Sequence, residues 1–505
     1  MSERINPSEW IGSWLARRVE KSPAGEAIRL RDRTISYSEL GQEVEFVSRA
    51  LRDHGVGPGD VVAVLLDNGA EWGVVLWSLQ SIGACLLPLN LRWRPRELAH
   101  VLRDSGARWL LHGPAERAVQ AAEVAEDWLA GARLELQGVR LERKDSPARV
   151  IPPSAASRSD DLEGILAIVY TSGTTGSPKG VLLPAEAFLA SAAASAEMLG
   201  AIASDRWLVC MPLFHVGGLS ILVRCCLSGS CAVIHRDFDP ARVAESFAAD
   251  EVSGVSWVAT MLERVLAERE GLPAPPGLRF ALVGGGPVSE ALLRRAHDLG
   301  YPVAPTYGLT ESASQVATCP PDGVAQSLKF GLRPLSGVQL RVVDDLGHEL
   351  AANQVGEICV RGPTLMRGYL GLPDQTSRAL RDGWLHTGDA GLLDEEGSLR
   401  VLERRDDLIV FGGENIYPAE IEGVLESHPA IREAGVTAEP HPEFGARPVA
   451  WCVRREAVRV SVAELRSFCR NQLAAYKVPD RFEWVDALPR SESGKLLRRK
   501  LRTEA

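Results

Sequence analysis

Up to about Pro153, stretches with helical spacing of apolar residues alternate with short unbroken apolar runs, such as residues 61–66 (Val-Val-Ala-Val-Leu-Leu) and 84–88 (Ala-Cys-Leu-Leu-Pro). A run without polar alternation fits a strand buried on both faces, and its alternation with helices predicts α/β layers built on parallel strands. A Pro/Ser/Asp-rich stretch, residues 151–161, interrupts this rhythm and leads into a strand expected at 165–170. Similar runs at 207–210, 232–234, 255–258 and 280–283, each followed by turn or helix signals, continue the α/β layering. Beyond about Gly331 the period shortens to two, in 339–343 and 357–361 with Gly-rich turns between them, which predicts a β-rich subdomain over about 331–403. The charged run 403–407 (Glu-Arg-Arg-Asp-Asp) then separates two apolar strands. It divides the chain into a large N-terminal unit, 1–403, and a small α+β unit, 404–505. In the small unit, residues 461–464 resemble a capping box opening a helix, followed by the loop 475–479, a strand and a basic tail. The expected fold class is therefore α/β, with a β-rich subdomain and a separate small C-terminal domain.

A chain of 505 residues with 45% hydrophobic and 24% charged positions has ample core for two or three domains. Its net charge of −10 repels nucleic acid and anionic lipid on average, while a local basic cleft can still hold a phosphorylated ligand. The first ten residues place charge where a signal peptide needs an apolar stretch, and no run is long and apolar enough to span a membrane. A cytoplasmic protein is expected, with no nucleic-acid partner and a homo-oligomer left open. The nine cysteines are scattered, and the cluster Cys225, Cys226 and Cys231 lacks the paired spacing and flanking histidine of a zinc site, so buried reduced thiols are expected.

The strongest local signal is residues 170–180 (Tyr-Thr-Ser-Gly-Thr-Thr-Gly-Ser-Pro-Lys-Gly), a hydroxyl- and glycine-rich loop directly after a strand. Glycines let backbone N–H groups approach an anion, hydroxyls donate further hydrogen bonds, and Lys179 adds a point charge, a combination suited to a polyphosphate. It is not a Walker A loop, because Pro178 precedes Lys179 and no Gly-Lys-Ser/Thr ending follows.

Together with five further motifs in order, this loop resembles the adenylate-forming superfamily of acyl-CoA synthetases, adenylation domains and luciferases over essentially the whole chain. The others are 211–215 (Met-Pro-Leu-Phe-His), 307–311 (Tyr-Gly-Leu-Thr-Glu), 383–389 (Gly-Trp-Leu-His-Thr-Gly-Asp), the segment 404–418, and 493–495 (Ser-Gly-Lys). The resemblance implies ATP, Mg²⁺ and, as acceptor, coenzyme A. It implies that Thr171, Ser172, Gly173, Thr174, Thr175, Gly176 and Lys179 hold phosphates, and that Gly284, Gly285, Gly286 and Tyr307 border the nucleotide. Thr310 and Glu311 would meet the α-phosphate and Mg²⁺, and Asp389 and Arg404 the ribose. Lys495 would stabilise charge developing as the substrate carboxylate attacks the α-phosphate, with no protein nucleophile needed. The C-terminal domain would then rotate about Asp406, withdraw Lys495 and bring Phe411, Gly412 and Gly413 in to shape the pantetheine tunnel. Glu403 stands where many relatives place glycine.

Two passages, 212–220 and 310–318, look most like the o-succinylbenzoate–CoA ligases of menaquinone biosynthesis. Arg224 adds a physical reason: it follows His215 by nine residues in an otherwise apolar stretch, and a buried guanidinium needs an anion, such as the second carboxylate of that acid. His215 is expected to position the substrate carboxylate, and Ser312, Ser314 and Gln315 to line the acyl pocket. The alternatives are a medium-chain fatty or aryl acid–CoA ligase, loading of a carrier protein, and a non-catalytic nucleotide-binding regulator.

Overall fold

A computed structural model describes residues 12–114, 116–127, 132–137, 140–143, 162–172, 178–286, 288, 290–321, 331–344, 346–404, 409–412, 414–416, 418–455, 459–489 and 501. Each apolar run of the α/β region is a strand: Val61–Leu65, Cys85–Pro88, Ile165–Ser172, Arg206–Val209, Cys231–Ile234, Gly254–Trp257 and Phe280–Val283. They fall into two large sheets. In one, of eight strands, Val61–Leu65 lies parallel between Cys85–Pro88 and Trp109–His112. In the other, of nine strands, Arg206–Val209 lies parallel between Cys231–Ile234 and Gly254–Trp257. Phe280–Val283 and Val303–Leu309 extend that sheet.

Burial explains the unbroken apolar runs. Val62 and Val64 of one sheet share a core with Trp207 and Val209 of the other, whereas Val61, Ala63 and Leu65 turn to a second core and Leu208 to a third. With both faces covered, no position favours a polar residue. The helix Val216–Ser228 runs within the shared core and is buried along almost its entire length. Arg18 secures its C-terminal end, Nε donating to the Cys226 carbonyl at 2.7 Å and Nη2 to that of Leu227 at 2.5 Å.

A third sheet joins Gln339–Val343, Gly356–Arg361, Trp384–Leu393 and Leu399–Arg404 in antiparallel pairs, as the period of two anticipates. A fourth sheet contains Ile409–Phe411, Glu414–Ile416, Ile431–His441, Gly445–Arg454 and Arg481–Trp484. The helices Pro418–Glu426 and Val462–Arg470 cover it, the latter opened by a capping box between Ser461 and Glu464. The change of sheet falls between Arg404 and Ile409. All nine cysteines are buried, and none is in a disulfide.

Candidate active site

One cavity of about 200 Å³ opens at the C-terminal ends of the nine-stranded sheet, where His215, Arg224, Gly284, Gly285, Thr310, Ser314, Gln315, Gly412 and Glu414 converge. Crevices beyond the carboxyl ends of parallel strands are where α/β sheets offer side chains and loop backbone to a ligand. Local geometry builds each wall. His215 is the N-cap of the helix Val216–Ser228, and a rise of 1.5 Å per residue sets Arg224 about 13 Å further along the axis. The chain reverses at Thr310–Ser312, a 3₁₀ turn, and returns antiparallel as Ser314–Thr318. Gly308 permits this close return, since a Cβ there would sit 1.7 Å from the Ser314 carbonyl oxygen. Ala313 and Ser314 complete the reversal at φ 50° and 103°, conformations that non-glycine residues adopt only under strain and that concentrate at functional sites.

That strained turn brings Ser314 Oγ to 3.2 Å from Arg224 Nη2. Arg224 is 2% exposed, its guanidinium carbon lies 5.3 Å from the Trp207 ring centroid, and its Nε has no hydrogen-bond partner. Burial lowers its pKa to about 10, and among the described residues no carboxylate pairs with it. Gln315 is also buried against the cavity, its Nε2 donating to Thr318 Oγ1 at 2.8 Å while Oε1 has no partner. Ser312 departs from expectation. It is fully buried, bonded through Oγ to the backbone of Leu309, and does not line the cavity, because the 3₁₀ turn points it inward.

Across the cavity, Glu414 of the small domain meets two groups of the large one. Its Oε1 accepts from Arg92 at 2.9 Å and its Oε2 lies 3.0 Å from His215 Nε2. Burial alone would raise the Glu414 pKa, but His215 and then Arg92 outweigh it and hold the carboxyl below its ordinary value. No local pattern singles out Glu414 or Arg92, apart from Glu414 falling inside the motif 404–418. Gly412, from the segment expected to shape a tunnel, lines this cavity, and its neighbour Phe411 stacks on Phe444 at 4.6 Å.

The nucleotide candidates lie alongside. Tyr307 donates its hydroxyl to Asp389 Oδ2 at 2.6 Å, and Asp389 stands opposite Arg404 in the adjoining strand. Tyr369 donates to Glu311 Oε1 at 3.0 Å, and the Lys179 ammonium lies 5.3 Å above the Tyr369 ring. Burial lowers the pKa of Lys179, opposed by Glu311. Thr171 pairs with Lys179, and Ser172 with Pro178, where the antiparallel strands Ile165–Ser172 and Pro178–Pro184 meet. Gly286 does not reach the cavity but faces Val410. Gly173, Thr174, Thr175, Gly176, Asp406, Gly413 and Lys495 lie outside the described residues, as does the side chain of Arg404.

Comparison with known proteins places this architecture. The profile of the family described as "AMP-binding enzyme" matches residues 15–370, and that of the "AMP-binding enzyme C-terminal domain" matches 420–495. The chain is 40% identical over 492 residues to a 2-succinylbenzoate–CoA ligase of Geobacillus kaustophilus, covering 97% of each protein. Among solved structures it is similar to o-succinylbenzoate CoA synthetase of Bacillus subtilis bound to a product analogue, with 35% identity, 98% of each chain covered and a TM-score of 0.86. The same B. subtilis protein in complex with its acyl-adenylate intermediate aligns over 97% of this chain and 98% of that one, at 35% identity, with a TM-score of 0.71.

Proposed function

The chain belongs to the AMP-binding enzyme family, and from that premise we propose that it is an AMP-forming 2-succinylbenzoate–CoA ligase acting through an acyl-adenylate. The observation that carries the choice of acid is Arg224, a buried guanidinium at the cavity wall that has a serine hydroxyl and the Trp207 ring beside it but no carboxylate paired with it among the described residues, the one acid lining the cavity, Glu414, being held by Arg92 and His215. o-Succinylbenzoate has two carboxylates. The aromatic one supplies the missing anion, and the aliphatic one lies toward His215 and Thr310, where it reacts. A fatty acid would leave Arg224 desolvated and unpaired.

In the first half-reaction the aliphatic carboxylate attacks the α-phosphorus of ATP, an acyl–oxygen–phosphorus bond forms and pyrophosphate leaves. Lys495 and Thr310 stabilise the charge that develops on the phosphoryl oxygens. Glu311 suits Mg²⁺ as a hard oxygen donor, with Tyr369 holding one carboxylate oxygen in place. Bound there, the ion would neutralise phosphate charge as pyrophosphate departs. Asp389 and Arg404 hold the ribose, and Thr171 to Lys179 the phosphates. In the second half-reaction the CoA sulfur attacks the acyl carbonyl and AMP leaves.

The domain arrangement described here suits that second step. Gly412 and Glu414 fill one side of the cavity, and the chain superposes better on the B. subtilis enzyme with product analogue than on its adenylate complex. Residues 1–403 and 404–505 are the two units that exchange orientations. Pyrophosphate release measured across acids tests the assignment. o-Succinylbenzoate should exceed benzoate and octanoate by at least about a hundredfold in kcat/KM; comparable rates for all three would sink it.

A further inference from the structure

The strand that carries Asp389 reaches it irregularly. Gly356–Arg361 and Trp384–Leu393 pair antiparallel with Glu357 opposite Ala390 and Cys359 opposite His386, so Ile358 alone faces Thr387, Gly388 and Asp389. Extra residues therefore bow out of the ladder, with Gly388 at φ 73°, a left-handed conformation that favours glycine. One side chain of the neighbouring strand holds the bow. Glu357 Oε1 accepts from the Gly388 N–H at 2.9 Å, and Oε2 lies 2.9 Å from His386 Nδ1. Thr387 ties the remainder: its Oγ1 donates to the Ile358 carbonyl at 2.8 Å and accepts from the Asp389 N–H at 3.0 Å. The bow delivers the Asp389 carboxylate to the Tyr307 hydroxyl.

The geometry points to Glu357 as a positioning residue that, by gripping Gly388 and His386, aims Asp389 at the ribose of ATP. This rests on the reading that Asp389 holds the ribose hydroxyls. Donor atoms of Glu357, Cys359 and His386 lie within 4.8 Å of one another, a spacing open to a metal ion. Both Glu357 oxygens, however, already engage protein groups that shape the bulge. The carboxylate is thus committed to the backbone beside Asp389, and outer partners that fix a binding group typically matter by tenfold or more.

Kinetics with ATP and with 2′- and 3′-deoxy-ATP test the role in wild type, Glu357→Leu, Glu357→Gln and Asp389→Ala. Glu357→Leu should raise KM for ATP about tenfold and shrink the preference for ATP over the deoxy analogues about tenfold, with KM for the acid and for CoA within about twofold. Glu357→Gln, whose amide oxygen still accepts from the Gly388 N–H, should keep most of that preference. If Asp389→Ala discriminates as wild type does, the ribose assignment fails. If Asp389→Ala loses the preference while Glu357→Leu retains it, the positioning role is overturned. Stoichiometric metal in purified wild type that disappears in Glu357→Leu also overturns it, the cluster then being a metal site. Should Glu357→Leu fail to fold, Thr387→Val carries the same expectation through the Asp389 N–H.

Discussion

Lys477 and Arg224 are the most deeply buried cations among the described residues, and their surroundings differ in the one respect that matters. Lys477 is fully buried, with its ammonium 2.7 Å from Glu420 of its own domain and 3.1 Å from Glu97 of the other, and 5.5 Å from the Trp93 ring. Arg224 is as deeply buried but has a serine hydroxyl, an indole face and an Nε with no partner. Their pKa values move apart accordingly. Burial presses both down, but Glu420 foremost, with Tyr476 and Glu97, raises Lys477 above the ordinary lysine value, whereas Arg224 stays lowered to about 10. A cation neutralised by the protein is fastening its parts together. One left without an anion is waiting for a ligand to bring it. Lys477 is of the first kind and joins the two domains; Arg224 is of the second and faces the cavity lined by His215, Ser314 and Gln315.

The largest effect expected from this contrast lies at Lys477. Lys477→Met leaves two buried carboxylates facing each other, and stripping the partner from such a cluster costs on the order of 3 to 5 kcal/mol. Because Glu97 and Glu420 belong to different domains, the penalty falls on this orientation rather than on either core. Thioester formation from supplied acyl-adenylate should slow by at least about a hundredfold, while adenylation, measured by pyrophosphate exchange, stays within a few-fold. Adding Glu97→Gln and Glu420→Gln to Lys477→Met should recover most of the thioester rate, since the charges then vanish together. Equal losses in both half-reactions would break the contrast.

Arg224 comes next and should respond in two opposite directions. Arg224→Met lowers kcat/KM for o-succinylbenzoate by about 2 to 4 kcal/mol, roughly 30- to 1,000-fold, and changes KM for ATP little. The same change should stabilise the ligand-free protein. The folded-state pKa of Arg224 lies well below the ordinary arginine value of the unfolded chain, so the native state binds its proton less well. The charge therefore destabilises the fold at every pH below about 10, and the penalty fades only as pH climbs from there toward the unfolded value. Its size is on the order of 3 kcal/mol, which Arg224→Met should release at pH 7 as a higher melting temperature in calorimetry. Added o-succinylbenzoate should raise the melting temperature of wild type alone. A lower melting temperature for the ligand-free variant would mean that the guanidinium has an anion within the protein after all.

How far these features could be read in advance depends on the distance over which they are encoded. Strands such as Phe280–Val283 were legible because burial on both faces leaves a local trace, four apolar residues in a row. Arg224 was legible for the same reason, one charge in an apolar stretch. Partners were not. Glu414 lies 322 positions from Arg92 and 199 from His215, and Lys477 lies 380 from Glu97, so no local pattern links them. Ser312 was misplaced because the turn after Thr310 uses positive φ at Ala313 and Ser314, which residue type does not announce. The bulge under Asp389 escaped likewise, since alternation predicts a strand but not the residues that leave its ladder.

The smallest expected effect tests whether the ring or the ligand fixes the guanidinium. Trp207 places its face 5.3 Å from the Arg224 carbon and donates Nε1 to Ser256 Oγ at 3.0 Å. Trp207 is 1% exposed and fixed in the core, so it should make the same contact once substrate binds, and its attraction for the cation should then cancel from the affinity. Trp207→Phe keeps an aromatic face with a weaker pull and gives up the bond to Ser256. It should cost about 1 kcal/mol of stability in denaturant unfolding and change kcat/KM for o-succinylbenzoate by less than about threefold. A loss of tenfold or more in kcat/KM with unchanged stability would mean that the indole orients Arg224 for its ligand. The carboxylate of the acid would then meet a guanidinium already aimed by the protein, and the division between fastened and waiting cations would narrow to a difference in charge alone.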